Sequence, residues 1–421
     1  MKRKMAVLLV LMILGTCFTL SACADEPITM TLLTTEAGTD QLLAYYEKLI
    51  TDFCALHPNI TIELIQGGNT SDIDTKLNAG VMTNTYPDMI LVTLASLGSR
   101  ASMGEWYDLS AYIKGWDEAD DMYDSVFNIG LYQGMNAAIG VYPVPEIYMY
   151  RKDYFEEAGL DPEIYPTTWE ELYEYAKKLV QYDEQGNVTR GGLDVPLVDA
   201  NSTMFDAFIR QAGGQVVDQA TGELKLDSQA TIDALYFLKK FVDEKLTVSY
   251  LRGTDSDPVV GGASAMGLVY TNTVNAMIQE DPSLKEKLGF FGSVKGQTSG
   301  SFCGYRIFAI GESSEHKDEA WEFYKFLMSP EQMMTRYEQF AQMPVRNSLE
   351  ERFISYDPLM HNAMVECAKI GLGRPAVSYI SLLNTYERGI FEETMYGVKT
   401  PEEALKDGLK KLSDELALAG N

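Results

Sequence analysis

The sequence predicts an α/β protein folded as two lobes. Three observations carry that expectation. The chain has 421 residues, enough for two or three domains. From Ile28 to Val92 it reads strand, helix, strand, helix, strand, an order that builds a parallel sheet covered on both faces. The alternation resumes beyond a Pro-Val-Pro segment at 143–145, with no long structureless tract. Hydrophobic residues make up 46% and charged residues 23%, and 25 Tyr and 17 Phe help to fill a core of that size.

The N-terminus reads as an address. Met1-Lys2-Arg3-Lys4 is basic, Met5 to Leu14 is apolar and uncharged, and Leu20-Ser21-Ala22-Cys23 follows. That layout is a secretory signal, and its apolar run is too short for a membrane span. The last four residues resemble the lipobox of bacterial lipoproteins. The resemblance implies cleavage after residue 22, lipidation of Cys23 and a short tether over 23–27; the alternative is an ordinary cleavable signal. Loss of Lys2, Arg3 and Lys4 would move the net charge from −27 to −30.

Ile28–Thr34 reads as a buried strand. Asp40 to His57 is a helix with Leu42, Leu43, Tyr46, Leu49, Ile50 and Phe53 on one face. Pro58-Asn59 ends it before a strand at Ile60–Ile65, a helix over Ser71–Met82 and a strand at Pro87–Val92. Ala137–Tyr142 is a further strand, which Pro143-Val144-Pro145 should stop. Thr167 and Thr168, each with Glu three residues on, open a helix reaching about Tyr182. Ser228–Leu246 is a long amphipathic helix, Ala265–Tyr270 and Phe302–Ile310 are strands, and Ser313–Met328 is a helix. Ser329-Pro330 and Thr400-Pro401 each start another helix with an N-cap and Pro at the first position.

Composition excludes several functions. A charge of −27, from 34 Lys+Arg against 61 Asp+Glu, argues against nucleic acid, whose phosphates require clustered cations. His57, His316 and His361 are the three histidines and lie far apart, so a multi-histidine metal site is not expected, and no cofactor motif occurs. Cys54, Cys303 and Cys367 have neither metal-ligand spacing nor an even count and read as small buried hydrophobes. The acidic run Asp117-Glu118-Ala119-Asp120-Asp121 lacks calcium-loop spacing and reads as a solvated face. No G-x-S-x-G elbow is present, and no motif nominates a glycosidase carboxylate pair.

Taken in order, a further set of segments resembles a known family. These are Phe53-x4-Pro58-x-Ile60-x-Ile62, Pro87-Asp88-Met89-Ile90, Asp108-Leu109-Ser110 and the run Tyr148 to Leu160. Pro166-x2-Trp169-Glu170-Glu171-Leu172, Gly213-Gly214 and Ala265-Met266 follow. Ala320-Trp321-Glu322-Phe323, Ser329-Pro330-Glu331, Pro344-Val345-Arg346 and Pro401-x2-Ala404-Leu405 complete it. The set spans residues 28–416 and resembles the extracytoplasmic solute-binding proteins of ABC importers, family 1, the carbohydrate-binding group that includes maltose-binding protein.

That resemblance implies a two-lobe periplasmic-binding-protein type II fold with discontinuous lobes joined by a hinge. Lobe 1 would comprise 28–144 and 271–310, and lobe 2 145–270 and 311–421. Crossings are expected near Val144-Pro145, Val269-Tyr270 and Ile310–Ser313. The implied role is non-enzymatic: a monomer, lipid-anchored outside the cytoplasm, that captures a sugar or oligosaccharide and delivers it to a membrane permease. The alternative is a secreted lipoprotein glycoside hydrolase or adhesin on a similar scaffold.

In open α/β lobes, ligands sit beyond the carboxyl ends of strands. Sugars need fork-like polar groups and aromatic faces. These rules, with the resemblance, nominate Glu36 after the first strand, Ser96 after the third, and Glu146 after the first crossing. They add Asn201 and Thr203, Tyr270 as stacking platform with Asn272 beside it, Tyr305 or Arg306, and Asn384. Trp169 and Trp321 read as core, and Trp106 and Trp116 as scaffold that could edge the cleft.

Overall fold

Strand β1 (Ile28–Thr34) buries Met30, Leu32 and Leu33 completely, as a central strand covered on both faces must. It pairs in parallel with β2 (Ile60–Gln66) and β3 (Met89–Thr93). Helices α1 (Asp40–Leu56) and α2 (Thr70–Thr83) make the crossovers. Thr39 caps α1, and Asn69 with Asp72 forms a reciprocal capping box on α2. The structure is a computed structural model, and it describes residues 26–196, 202–248 and 257–419.

The main departure from expectation is β4 (Ile139–Arg151), which runs through Pro143 and Pro145 without a break. Glu146 N–H bonds to Phe302 O, on the side of the neighbouring strand. Residues an odd number of positions away, Pro145 and Pro143, therefore turn their missing N–H groups to the opposite side. There the next ladder begins only at the Glu146–Tyr270 pair. The two prolines consequently sit where no donor is required.

The remaining strands of the main sheet are β5 (Gln181–Tyr182), β6 (Val188–Leu193), β7 (Ser264–Tyr270), β8 (Leu288–Phe291) and β9 (Cys303–Ile310). Among the described residues they form one mixed sheet in the order β2-β1-β3-β9-β4-β7-β6-β5, with β8 on the far half of β4. The first half of β4 joins β9, and its second half joins β7 and β8, so this strand links the two lobes.

Helix α3 (Trp169–Leu179) begins as expected: Thr168 Oγ1 accepts from Glu171 N–H, and the Glu171 carboxylate accepts from Thr167. In the second lobe α4 (Ser202–Gln211) and α5 (Gln229–Asp243) pack around Phe208, Phe237 and Trp169, whose ring stacks on Phe237 at 4.3 Å. Helix α6 (Thr271–Glu280) follows β7 directly.

The two later crossings differ from expectation. β8 pairs with Tyr148–Arg151, so the chain stays with the second lobe beyond Tyr270 and leaves it near Phe302. Helix α7 (Lys317–Leu327) sets Phe323 against Phe53 of α1 at 5.2 Å and Trp321 against Trp116 at 5.8 Å, so the chain beyond Ile310 remains with the first lobe. Periodicity identifies a helix or a strand but not the sheet edge that receives it, and the four residues of β8 are too few to show a pattern. Helices α8 (Pro330–Phe340) and α9 (Pro358–Ile370) lead back. α10 (Ile380–Met395) and α11 (Pro401–Ala419) then close the second lobe.

Trp106, Trp116 and Trp321 are buried scaffold; none edges the cleft. The acidic run is not wholly a solvated face, since Glu118 and Asp121 pair with the buried Arg346 at 2.5 and 3.1 Å. His361 is buried, stacked on Phe353, with its Nδ1 2.7 Å from Phe353 O. Cys303 and Cys367 are free and buried. Among the described residues no helix is long and apolar enough to cross a membrane.

Candidate functional site

A cavity of about 710 Å³ opens where the lobes meet. One wall is the carboxyl end of β3 and the turn after it, with Thr93, Leu94, Ala95 and Ser99. The floor is Val144 of β4 with Phe302, Gly304 and Arg306 of the β9 strand region. Tyr270, at the carboxyl end of β7, and Thr273 begin the opposite wall, and Arg374, Ser378, Ser381 and Asn384 complete it.

Strand alternation decides which β9 side chain faces the cavity. Tyr305 borders it but is 2% exposed, and its hydroxyl is hydrogen-bonded to Ser125 Oγ at 2.6 Å, so it is a core residue. Arg306 points the other way, with its side chain 32% exposed. Its Nε donates to Glu36 Oε1 at 2.5 Å. Tyr142 donates its hydroxyl to the other oxygen of Glu36, and burial together with the Glu36 charge pushes that phenol well up, so it stays protonated. Glu36 therefore lies buried behind the cavity and holds Arg306 rather than lining the wall.

Other expected site residues are also displaced inward. Glu146 and Thr203 come together, Thr203 Oγ1 donating to Glu146 Oε1 at 2.8 Å, but both are buried away from the main cavity. Ser96 is 3% exposed inside the turn that follows β3, and its hydroxyl has no partner among the described residues. Ser96 directly follows the lining residue Ala95 and turns inward, because turn and helical geometry send adjacent side chains in different directions. Asn272 belongs to the first turn of α6, between the lining residues Tyr270 and Thr273. Asn201 and Cys23 lie outside the described residues.

Of the expected set, Tyr270, Arg306 and Asn384 meet at the cavity. Tyr270 stands edge-on to Phe302 with ring centroids 6.4 Å apart, which gives the floor an aromatic face. Asn384 presents an Oδ1 that is buried and has no partner among the described residues. Leu94, Val144 and Ile380 add apolar area beside these polar groups. Asp74 also lines the cavity and is held by Arg100 at 2.5 Å.

Sequence reasoning missed Arg374, which lies in the Gly371-Leu372-Gly373-Arg374-Pro375 stretch before α10. Its Nη1 donates to Asp206 Oδ2 at 2.9 Å and Glu387 Oε2 at 2.7 Å. A cation inside a Gly- and Pro-bounded loop was the available signal.

Asp206 and Glu387 are both 0% exposed. Burial first, and then the Asp206 charge, push the Glu387 carboxyl up to about 8; Arg374 and Arg210 pull the other way. Asp206 is likewise raised by burial against Arg374 and Arg210. An unfolded Glu titrates near about 4.3. Between about pH 4.3 and 8 the folded state therefore binds more protons than the unfolded state, and stability falls as pH rises through that window. Glu387→Gln cannot titrate there. Its unfolding free energy relative to the wild type should rise between about pH 5 and about pH 8 in urea titrations; parallel pH profiles would refute the assignment.

Known proteins share both sequence and fold with this chain. A lactose-binding protein of Rhizobium radiobacter is 24% identical over 298 residues, 67% of this chain and 66% of that protein, so the chain matches slightly under two thirds of that relative's length. A cyclic α-maltosyl-1,6-maltose binding protein from Arthrobacter globiformis superposes with a TM-score of 0.78 at 22% identity, covering 92% of this chain and 98% of that one. A sugar-binding protein from Xanthomonas citri gives 0.80 at 17% identity, covering 93% and 98%. These likenesses establish the two-lobe fold. A sequence profile described as bacterial extracellular solute-binding protein matches residues 48–362, well over half of the chain, and the chain belongs to that family.

Proposed function

We propose that this chain captures a sugar or short oligosaccharide between its lobes and delivers it to the permease of an ABC importer. The observation that carries the reading is the cavity of about 710 Å³, lined from both lobes by aromatic and aliphatic faces beside a guanidinium and an amide oxygen that has no partner among the described residues. That mixture suits a ligand with flat C–H faces and many hydroxyls. The relatives described above are named for lactose, a cyclic maltosyl sugar and sugars in general. A glycosidase needs two carboxylates across its substrate. Among the described lining residues Asp74 is the one carboxylate, and Arg100 holds it.

Delivery follows from closure: a ligand touching both walls favours the closed arrangement, which a permease can distinguish from the open one. On this reading residues 1–22 direct export, Cys23 carries the lipid, 23–27 form the tether, and the protein works as a monomer outside the cytoplasm.

The test is thermal unfolding against lactose, maltotetraose and mannobiose. A sugar at a hundredfold excess over its Kd should add about 2.7 kcal/mol of stability and be recovered intact. Cleavage of the sugar, or no shift with any of the three, would overturn the reading. Cys23→Ala should move the protein from the membrane fraction to the medium or periplasm, and continued membrane retention would count against lipidation.

A further inference from the structure

A charge cluster lies under the second wall of the cavity. Asp206 comes from α4 and Glu387 from α10, and both are completely buried. Between them they take one nitrogen, Nη1 of Arg374. Behind them Arg210 donates Nη1 to Ser301 O and Leu372 O, both at 2.8 Å, and Nη2 to Gly373 O at 3.0 Å. The loop bearing Arg374 is thus fixed at the backbone by Arg210 and at the side chain by two carboxylates. Arg374 is the member that reaches the cavity, its side chain 16% exposed. Its Nε and Nη2 make no protein hydrogen bond among the described residues. Asp206 Oδ1 and Glu387 Oε1 are likewise unpartnered.

We propose that Arg374 contacts the captured sugar from the second lobe, and that Asp206 and Glu387 are positioning residues that aim its free N–H groups into the cavity. This deepens the sugar-binding reading and rests on it. The first lobe repeats the arrangement: Arg306 gives Nε to the buried Glu36, and its two terminal nitrogens, at the floor, make no protein hydrogen bond among the described residues. A guanidinium is a rigid planar fork suited to two neighbouring oxygens, and a held fork loses less entropy on binding than a mobile one. Two such forks from different lobes require hydroxyl pairs at both ends of the ligand. The separation and orientation of those pairs then become the specificity criterion, and both are satisfied together only when the lobes close.

The experiment is calorimetric titration of the full exported protein with lactose, maltotetraose and mannobiose, carrying the tightest of the three through the variants. Arg374→Lys keeps the charge opposite the two carboxylates but loses the fork. It should weaken binding by about 10- to 100-fold, the weight of a hydrogen bond to a charged group, with the urea midpoint little changed. Glu387→Ala should weaken binding by about tenfold. Glu387→Gln, which keeps an acceptor for Nη1, should restore affinity to within about threefold of wild type. Wild-type affinity in Arg374→Lys overturns the contact and leaves the sugar reading intact. Equal losses in Glu387→Gln and Glu387→Ala overturn the positioning role. Failure of the wild type to bind any of the three sugars overturns the sugar reading, and this proposal with it.

Discussion

Replacing Arg210 with methionine should destabilise the protein by about 3–5 kcal/mol, the usual result of removing one partner from a buried charge cluster. Arg210 is 9% exposed and supplies the hydrogen bonds to Ser301 O, Leu372 O and Gly373 O. Methionine fills much of the same volume but takes the donor from Gly373 O and one of two donors from each of Ser301 O and Leu372 O, which keep Leu372 N–H and Cys303 N–H, and the two buried carboxyl groups then share Arg374 alone. Urea unfolding measures the loss directly. Because Phe302 and Arg374 line the cavity beside the affected segments, sugar affinity should fall as well. Adding Asp206→Leu should recover part of the stability, since an apolar replacement of an uncompensated charge removes its desolvation cost. A single variant within about 1 kcal/mol of the wild type would show that the carbonyls find other donors.

Asn384→Leu should move stability and affinity in opposite directions. The Asn384 Oδ1 is buried without a partner among the described residues, and a desolvated unpaired acceptor costs about 1–3 kcal/mol. Leucine has nearly the same shape and no such atom. The unliganded variant should therefore unfold at a higher urea concentration than the wild type, by about 1 kcal/mol. Its affinity for the sugar should be about tenfold weaker, because the acceptor awaiting a hydroxyl is gone. A variant that loses stability and keeps its affinity would make Asn384 a structural residue.

Much of the fold was legible because local chemistry and global fold agree. Thr168 with Glu171, Ser329 before Pro330, and Thr400 with Glu403 start helices where their side chains can reach the first N–H groups. Expected and observed strands agree closely at Ile28–Thr34 and Ser264–Tyr270. Pro143 and Pro145 misled, because a proline stops a strand only where its nitrogen faces a partner. Whether one does depends on β7, more than a hundred residues away.

The site was legible only in part, and the residues show why. The carboxyl-end rule led to Tyr270, which lines the cavity, and to Glu36 and Ser96, which lie one layer behind it. A residue and its neighbour carry the same sequence signal, yet a rotation of the backbone sends one to the cavity and the other to the core. Tyr305 and Arg306 are the clearest case, since the sequence offered either one and the alternation of β9 puts the tyrosine in the core and turns the arginine to the cavity. Arg374 escaped notice because its partners, Asp206 and Glu387, stand 168 and 13 positions away.

The sequence by itself determined the family, the two-lobe α/β architecture, most element starts and an acidic composition unsuited to phosphate-rich partners. The family rests on the resemblance carried by the ordered motifs; the architecture, the element starts and the charge follow from periodicity, capping and composition, which act over a few residues or over the whole chain. Only the tertiary structure decided where the chain crosses between lobes, which polar groups face the cavity and which neutralise one another behind it. These depend on long-range pairing: β8 against the end of β4, Glu36 against Arg306, and Asp206 with Glu387 around Arg374. A buried charge needs a partner in space, and its position along the chain does not say which one it will find.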